Sequence, residues 1–170
     1  MKRRNFLILG SALGLFTYFK LKKSDDFSVA FKKVESTIMA VQEHMFPQNS
    51  KLPSAKLMNV NQFLFETMSH KSFDKDIKAF VLEGAKELEK SIDRDFSGLA
   101  FEEKESVLRA YEETTYGSAW LSQIMTLTME AFFCDPIYGA NTKEQNWAIL
   151  GAYVGLPRPQ KRYMGVMSDV

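Results

Sequence analysis

Apolar residues recur along this chain at helical intervals. Phe27, Phe31, Val34, Ile38, Val41 and Met45 are spaced four, three, four, three and four apart, one apolar stripe along a helix of about five turns. Pro47 ends it, since proline has no N–H to continue the ladder. The stripe spans too few heptads for a coiled coil and reads as core packing. Gln48–Lys56 is expected to be a loop. Val60 to Met68 predicts a second, shorter helix with Val60, Phe63, Leu64 and Met68 inward and Asn59 or Asn61 as its cap. A third helix is expected from about Asp74 to Phe96, with Ile77, Val81, Gly84, Leu88 and Ile92 on one face. Its other face carries Glu83, Lys86, Glu87 and Lys90 at ion-pair spacing. Ser97-Gly98 breaks the pattern. A fourth helix over Glu102 to Glu113 has acids in its first turn, with Val107, Leu108 and Tyr111 inward. Tyr116-Gly117-Ser118 leads into a fifth, about Ala119 to Phe133, apolar nearly all round and so expected to be buried on most sides, as the centre of the bundle or with one face shared with a partner subunit. No long stretch alternates with period two, no Asn-Gly hairpin occurs and no repeat is present. The fold class is all-α: one bundle of about five to six helices.

The stretch from Phe132 to Gly151 is of a different kind. Asp135-Pro136 opens a turn, and Gly139 and Asn141 tolerate a positive φ. Thr142 reads as an N-cap, with Gln145 completing a capping box three residues on. The helix that follows is short, stops near Gly151, and is too short to hold without docking through Trp147 and Leu150.

Both ends are set apart from the bundle. Lys2-Arg3-Arg4 precedes an apolar run from Phe6 to Phe19, followed by Lys20, Lys22 and Lys23. As a helix the run is about 21 Å long against a hydrocarbon core of roughly 30 Å, a length that suits a signal region better than a span. Arg3-Arg4-Asn5-Phe6-Leu7 looks like a twin-arginine export signal; an ordinary secretory signal or uncleaved anchor is the alternative. No A-x-A site follows, so residues 1–23 are expected to be retained, with the lysines reaching back to headgroups. After Gly151 come Tyr153, Val154, Leu156, Pro157 and Pro159, an apolar tail expected to lie extended across another surface, with a partly disordered terminus as the alternative. The organisation is thus 1–23 signal or anchor, 24–158 helical domain, 159–170 tail.

The chain has 14 Phe and 9 Met and is 45% hydrophobic, ample for a core. The net charge of +1 hides an asymmetry: residues 1–23 hold six bases and no acid, leaving 16 bases against 21 acids elsewhere. A mildly acidic folded part argues against nucleic acid as a partner. One cysteine excludes an internal disulfide, and no C-x-x-C occurs for zinc or haem. Cys134 is either buried and inert or paired with another chain. His44 and His70 are the only histidines; Glu66 and His70 share a helix face and read as a surface contact, since two ligands hold zinc poorly. There is no Glu-x-x-His for a di-iron bundle, no P-loop, no G-x-S-x-G and no G-x-G-x-x-G. Asp135, Tyr138 and Asn141 are explained by the backbone needs of a turn. No catalytic, metal or cofactor site is expected on this chain.

Phe-Phe-Cys-Asp-Pro-Ile-Tyr-Gly-Ala-Asn over 132–141, then Trp147 and Leu150-Gly151, resembles the C-terminal motif of the gluconate 2-dehydrogenase subunit 3 family. The resemblance extends back through Val34–Pro47, Asn59–Met68 and Glu102–Glu113, and so covers roughly residues 28–158. Cys134 stands where a small polar residue is usual, and Ala140 where glycine is. The resemblance implies a non-catalytic small helical subunit of a membrane-associated, FAD-dependent sugar or sugar-acid dehydrogenase. FAD would sit on a large flavin-dependent dehydrogenase subunit, and a cytochrome c subunit is a further candidate partner. It further implies export to the periplasmic side of the bacterial inner membrane and membrane attachment through the N-terminus. The expected partner interface is Phe132, Phe133, Asp135, Pro136, Tyr138, Gly139, Asn141, Trp147, Leu150 and Gly151, with the tail. Surplus apolar surface near the C-terminus is the reason for expecting a partner there. A stand-alone membrane-anchored binding module, using the Met- and Phe-lined helices as a ligand pocket, stays open beside it.

Overall fold

The computed structural model describes residues 24–48, 50–92 and 94–162. The expected signal or anchor over 1–23 and the tail beyond residue 162 lie outside the described residues. Among the described residues six α-helices follow in order: α1 Ser24–Met45, α2 Val60–Ser69, α3 Lys75–Lys90, α4 Phe101–Glu112, α5 Thr115–Phe133 and α6 Gln145–Leu150. Short 3₁₀ turns stand at Phe96–Gly98, Pro136–Tyr138 and Thr142–Glu144. No strand occurs among the described residues, so the all-α expectation holds.

The α1 stripe does what its spacing dictates: Phe27, Phe31, Val34, Ile38 and Val41 are buried, packing α1 against α2, α3 and α5. The centre of the bundle is α5, which touches α1, α2, α3 and α4 and buries Trp120, Ile124 and Leu127. It is not enclosed on most sides, as its composition had led us to expect. Ser122, Met125, Thr126, Met129 and Glu130 stay exposed, because four neighbouring helices cover only one side. A second, smaller core gathers at one end of the bundle. There Ala55, Met58, Val60, Ala131, Phe132 and Ala140 pack together with Phe46 and Phe63, and the edge of Phe46 meets Phe132 at 4.6 Å between ring centroids.

Several expected helix ends move, each for a local reason. α3 stops at Lys90, not near Phe96. The Asp95 carboxylate accepts from the Ser97 N–H (3.1 Å) and hydroxyl (2.6 Å), starting a separate turn that carries Phe96 fully into the core. α5 begins four residues early: Thr114 Oγ1 accepts from the Gly117 N–H at 2.8 Å and caps the helix. Asp74 caps α3 through the N–H groups of Asp76 and Ile77. Asn59 holds the N-cap position of α2 as expected, but neither asparagine makes a side-chain cap bond. Asn59 is left-handed (φ 55°) with no side-chain cap bond, and the Asn61 amide donates to Glu35 Oε1 at 2.9 Å. The expected ion pairs form at i,i+3: Lys86 with Glu83 and Lys90 with Glu87.

Candidate partner interface

An α-helix leaves its last four carbonyls without intrahelical donors. At the end of α5 those are the carbonyls of Ala131, Phe132, Phe133 and Cys134, and each receives a side-chain donor from the motif that follows. Cys134 Sγ donates to Ala131 O (3.3 Å), Asn146 Nδ2 to Phe132 O (3.0 Å), Trp147 Nε1 to Phe133 O (3.0 Å) and Asn141 Nδ2 to Cys134 O (3.0 Å). Asn141 Oδ1 in turn accepts from the Asn146 N–H at 3.2 Å. The motif is therefore a clasp that closes a helix end and docks the short α6 on it. The clasp requires unusual backbone: Gly139 at φ 92°, Asn141 at 49° and Gly151 at 62°, as the sequence indicates. Lys143 and Glu144 are also left-handed, a conformation costly for such residues unless the surroundings impose it. The expected Thr142 capping box does not form: the N-cap of α6 is Glu144, without a side-chain cap bond, and Asn141 stands before the 3₁₀ turn at Thr142–Glu144.

Asp135 ties the clasp to the tail. Its Oδ1 accepts from the Ile137 N–H at 3.0 Å, and its Oδ2 from Arg158 Nε (3.0 Å) and Nη2 (2.8 Å). Arg158 also pairs with Glu144 at 3.0 Å and lies over the Trp147 ring, 4.6 Å from its centroid. Arg162 Nη2 donates to the Tyr138 carbonyl at 2.8 Å and pairs with Glu66. Through these two arginines the described part of the tail folds back on its own chain.

The ten residues expected at an interface thus divide. Phe132, Asn141 and Trp147 are buried, Phe133, Asp135, Pro136 and Tyr138 are half-buried, and Gly139, Leu150 and Gly151 are exposed. Phe132 and Trp147 are covered by this chain itself, which corrects the expectation that they need another polypeptide to cover them. Free apolar surface lies just beyond them, at Ile149, Leu150, Tyr153, Val154 and Leu156, 45–85% exposed. The open sides of Phe133 and Tyr138 line a cleft of about 670 Å³ with Phe63, Phe73 and Glu130. Burial raises the Glu130 carboxyl above its ordinary range there. Asn146 carried no signal in the sequence; a buried asparagine beside a tryptophan could equally have been an exposed first-turn residue.

Burial pushes the Cys134 thiol up to about 11, keeping it a protonated donor at neutral pH. Glu66 and His70 do not meet, contrary to their expected contact: Glu66 accepts from Gln62 (2.6 Å), and the His70 ring bonds Ser72 (2.7 Å). His44 reaches across to Glu105 on α4 at 2.7 Å. That bond, followed by one from Arg109, holds the Glu105 carboxyl below its ordinary value. Among the described residues no group of three or more His, Cys, Asp or Glu side chains gathers as a metal ion would need.

Fold and site together define a small helical bundle whose C-terminal motif staples a helix end and displays apolar surface beside it. The chain matches the family model described as Gluconate 2-dehydrogenase subunit 3 over residues 32–153, and it belongs to that family. No curated protein and no solved structure matches it.

Proposed function

We propose that the chain is the non-catalytic small subunit of a membrane-associated, FAD-dependent dehydrogenase of the gluconate 2-dehydrogenase type. In this reading it assists export, folding and membrane association of the flavin-bearing subunit. The FAD belongs to that large subunit, and electrons leave it for a cytochrome or quinone elsewhere. Residues 1–23 carry the pair out by the twin-arginine route and hold it at the periplasmic side of the inner membrane. This role would place the anchoring signal outside the helical domain, whose described helices include none long and apolar enough to cross a membrane.

One observation carries the reading beyond family membership: five apolar side chains, Ile149, Leu150, Tyr153, Val154 and Leu156, stand exposed where α6, docked on the end of α5, runs into the tail. A run of exposed apolar side chains within eight residues of sequence is what an interaction surface would use. The flavin subunit docks there, with the Phe133–Tyr138 cleft alongside. The chain should be tagged and drawn from native membranes in mild detergent. The expected result is a yellow complex with one large flavoprotein, from which the separated chain emerges without visible absorbance. Recovery as a soluble monomer with no flavoprotein would reject the proposal.

A further inference from the structure

The cleft beside the clasp, of about 670 Å³, combines aromatic rings with acid. Phe63 from α2, Phe73 from the loop after it, and Phe133 and Tyr138 from the clasp line it. All four are half-buried, so each keeps surface open to whatever enters. Glu130 and Asp74 line it too, and no lysine or arginine does. Asp74 spends Oδ1 on two early N–H groups of α3. Arg162, which reaches the Tyr138 carbonyl, is already paired with Glu66. Burial raises the Glu130 carboxyl, and among the described residues no charge or hydrogen bond offsets this. Glu103 and Glu105, by contrast, are held below their ordinary values by hydrogen bonds. Glu130 also stands in the last turn of α5, the end of a helix at which the dipole disfavours an acid.

These walls discriminate between occupants. An apolar side chain would strip water from Glu130 and give it nothing in return. A metal ion would meet phenyl rings where it needs several oxygen ligands. A guanidinium satisfies both halves of the lining. It pairs with a carboxylate through two N–H groups and packs its flat, weakly hydrated face on aromatic rings. We propose that the cleft receives an arginine side chain of the flavin-bearing subunit, paired with Glu130 and packed against Phe63, Phe73, Phe133 and Tyr138. This rests on the docking role proposed above and names the chemistry that the partner brings to it. The clasp supplies Phe133 and Tyr138 to the cleft and docks α6, which carries the exposed Ile149 and Leu150, so one partner engages both.

The test has two arms, both on the full chain in mild detergent. In the first, the chain is drawn from native membranes and the bound flavoprotein is eluted with rising salt. Glu130→Gln removes the charge and keeps the side-chain shape, in a helix that accepts either residue. It should release the flavoprotein at lower salt than the wild type, whereas Glu102→Gln, at an exposed acid on α4, should not. In the second arm, 3-fluorotyrosine replaces tyrosine. The chain is titrated at constant ionic strength with Nα-acetylarginine amide or with Nα-acetylcitrulline amide, which has the same shape without the charge. The Tyr138 fluorine resonance should move with the arginine probe while those of Tyr111 and Tyr116, around the opposite end of α5, stay still. The citrulline probe should bind about tenfold more weakly, the loss expected of one ion pair and one cation–π contact together. Equal release of the flavoprotein by wild type and Glu130→Gln overturns the arginine while the docking role stands. A chain that brings down no flavoprotein overturns both. Equal binding of the two probes, or a motionless Tyr138 up to about 50 mM probe, near the weakest binding of so small a molecule, overturns the proposal with no partner present.

Discussion

Gly84 shows what one residue can decide. A Cβ there would lie 1.9 Å from Trp120 Cδ1, so the absence of a side chain on α3 is what admits the indole. Once seated, Trp120 Nε1 donates to Val81 O at 3.0 Å and Tyr111 Oη donates to Gly84 O at 3.0 Å. Gly84→Ala should gain somewhat under 1 kcal/mol of helix propensity and lose about 1–3 kcal/mol or more to overpacking. Urea denaturation followed by tryptophan fluorescence measures the balance; an unchanged midpoint would mean that Trp120 has another seat. Cys134 supplies a pH dependence. Its folded value, about 11, lies above the ordinary thiol value of 9.0. The stability it contributes is therefore complete below about 9 and is lost as pH rises through about 11. Cys134→Ser should flatten that alkaline loss, as thermal melts between those limits would reveal. The inward position of Gly84 was legible in the spacing of the α3 stripe. Its purpose was not, because the partner that needs the space is 36 positions further along the chain.

Helix stops and starts here follow short-range polar bonding more than apolar period. The α3 stripe continues through Ile92, which still packs on the core, yet the helix ends at Lys90 and Asp95 starts a new turn. Periodicity could not separate one long helix from a helix and a turn that both keep their apolar residues inward. The tail gives the same lesson in reverse: an apolar, proline-containing segment pointed to another surface, and two arginines bring its described part home. Arg158→Ala removes the pairs with Asp135 and Glu144 and the contact over Trp147. Partly exposed pairs and a single cation–π contact are each worth roughly 0–1 kcal/mol, so the bundle should melt almost unchanged. The segment from residue 152 to 162 should instead become open to proteolysis. Limited digestion with mass spectrometry of the fragments tests this; identical cleavage rates would show that Arg158 does not hold the tail.

Across the whole molecule, the bundle and the clasp divide the work. The larger core makes the domain stable, and the smaller one seats Phe132 and Ala140 so that the clasp can form. The apolar surface left over, at Leu150 and Leu156 most openly among the leucines, is where a partner gains most by burial. Leu150→Asp with Leu156→Asp should leave the circular dichroism and melting temperature of the chain intact. The pair of changes should abolish co-purification of the flavoprotein, each exposed leucine being worth about 1.5–3 kcal/mol when fully buried. Retention of the complex would move the docking surface elsewhere.

The amino-acid sequence alone determined that the chain is all-α, where the first stripe turns inward, where the chain must turn at Asp135-Pro136, and that Gly139, Asn141 and Gly151 tolerate the left-handed backbone they adopt. These are local matters, set by side-chain period and by the conformations a residue tolerates. Tertiary structure decided which donors close the last carbonyls of α5, that Trp147 is covered by its own chain, and that Phe63, Phe73, Glu130 and Tyr138 line one cleft. The clasp bonds join groups 3 to 14 residues apart, and the cleft brings Phe63 and Glu130, 67 apart in sequence, to one lining. Period and propensity act along the chain, whereas hydrogen-bond matching and burial act through space, and only packing brings those groups together.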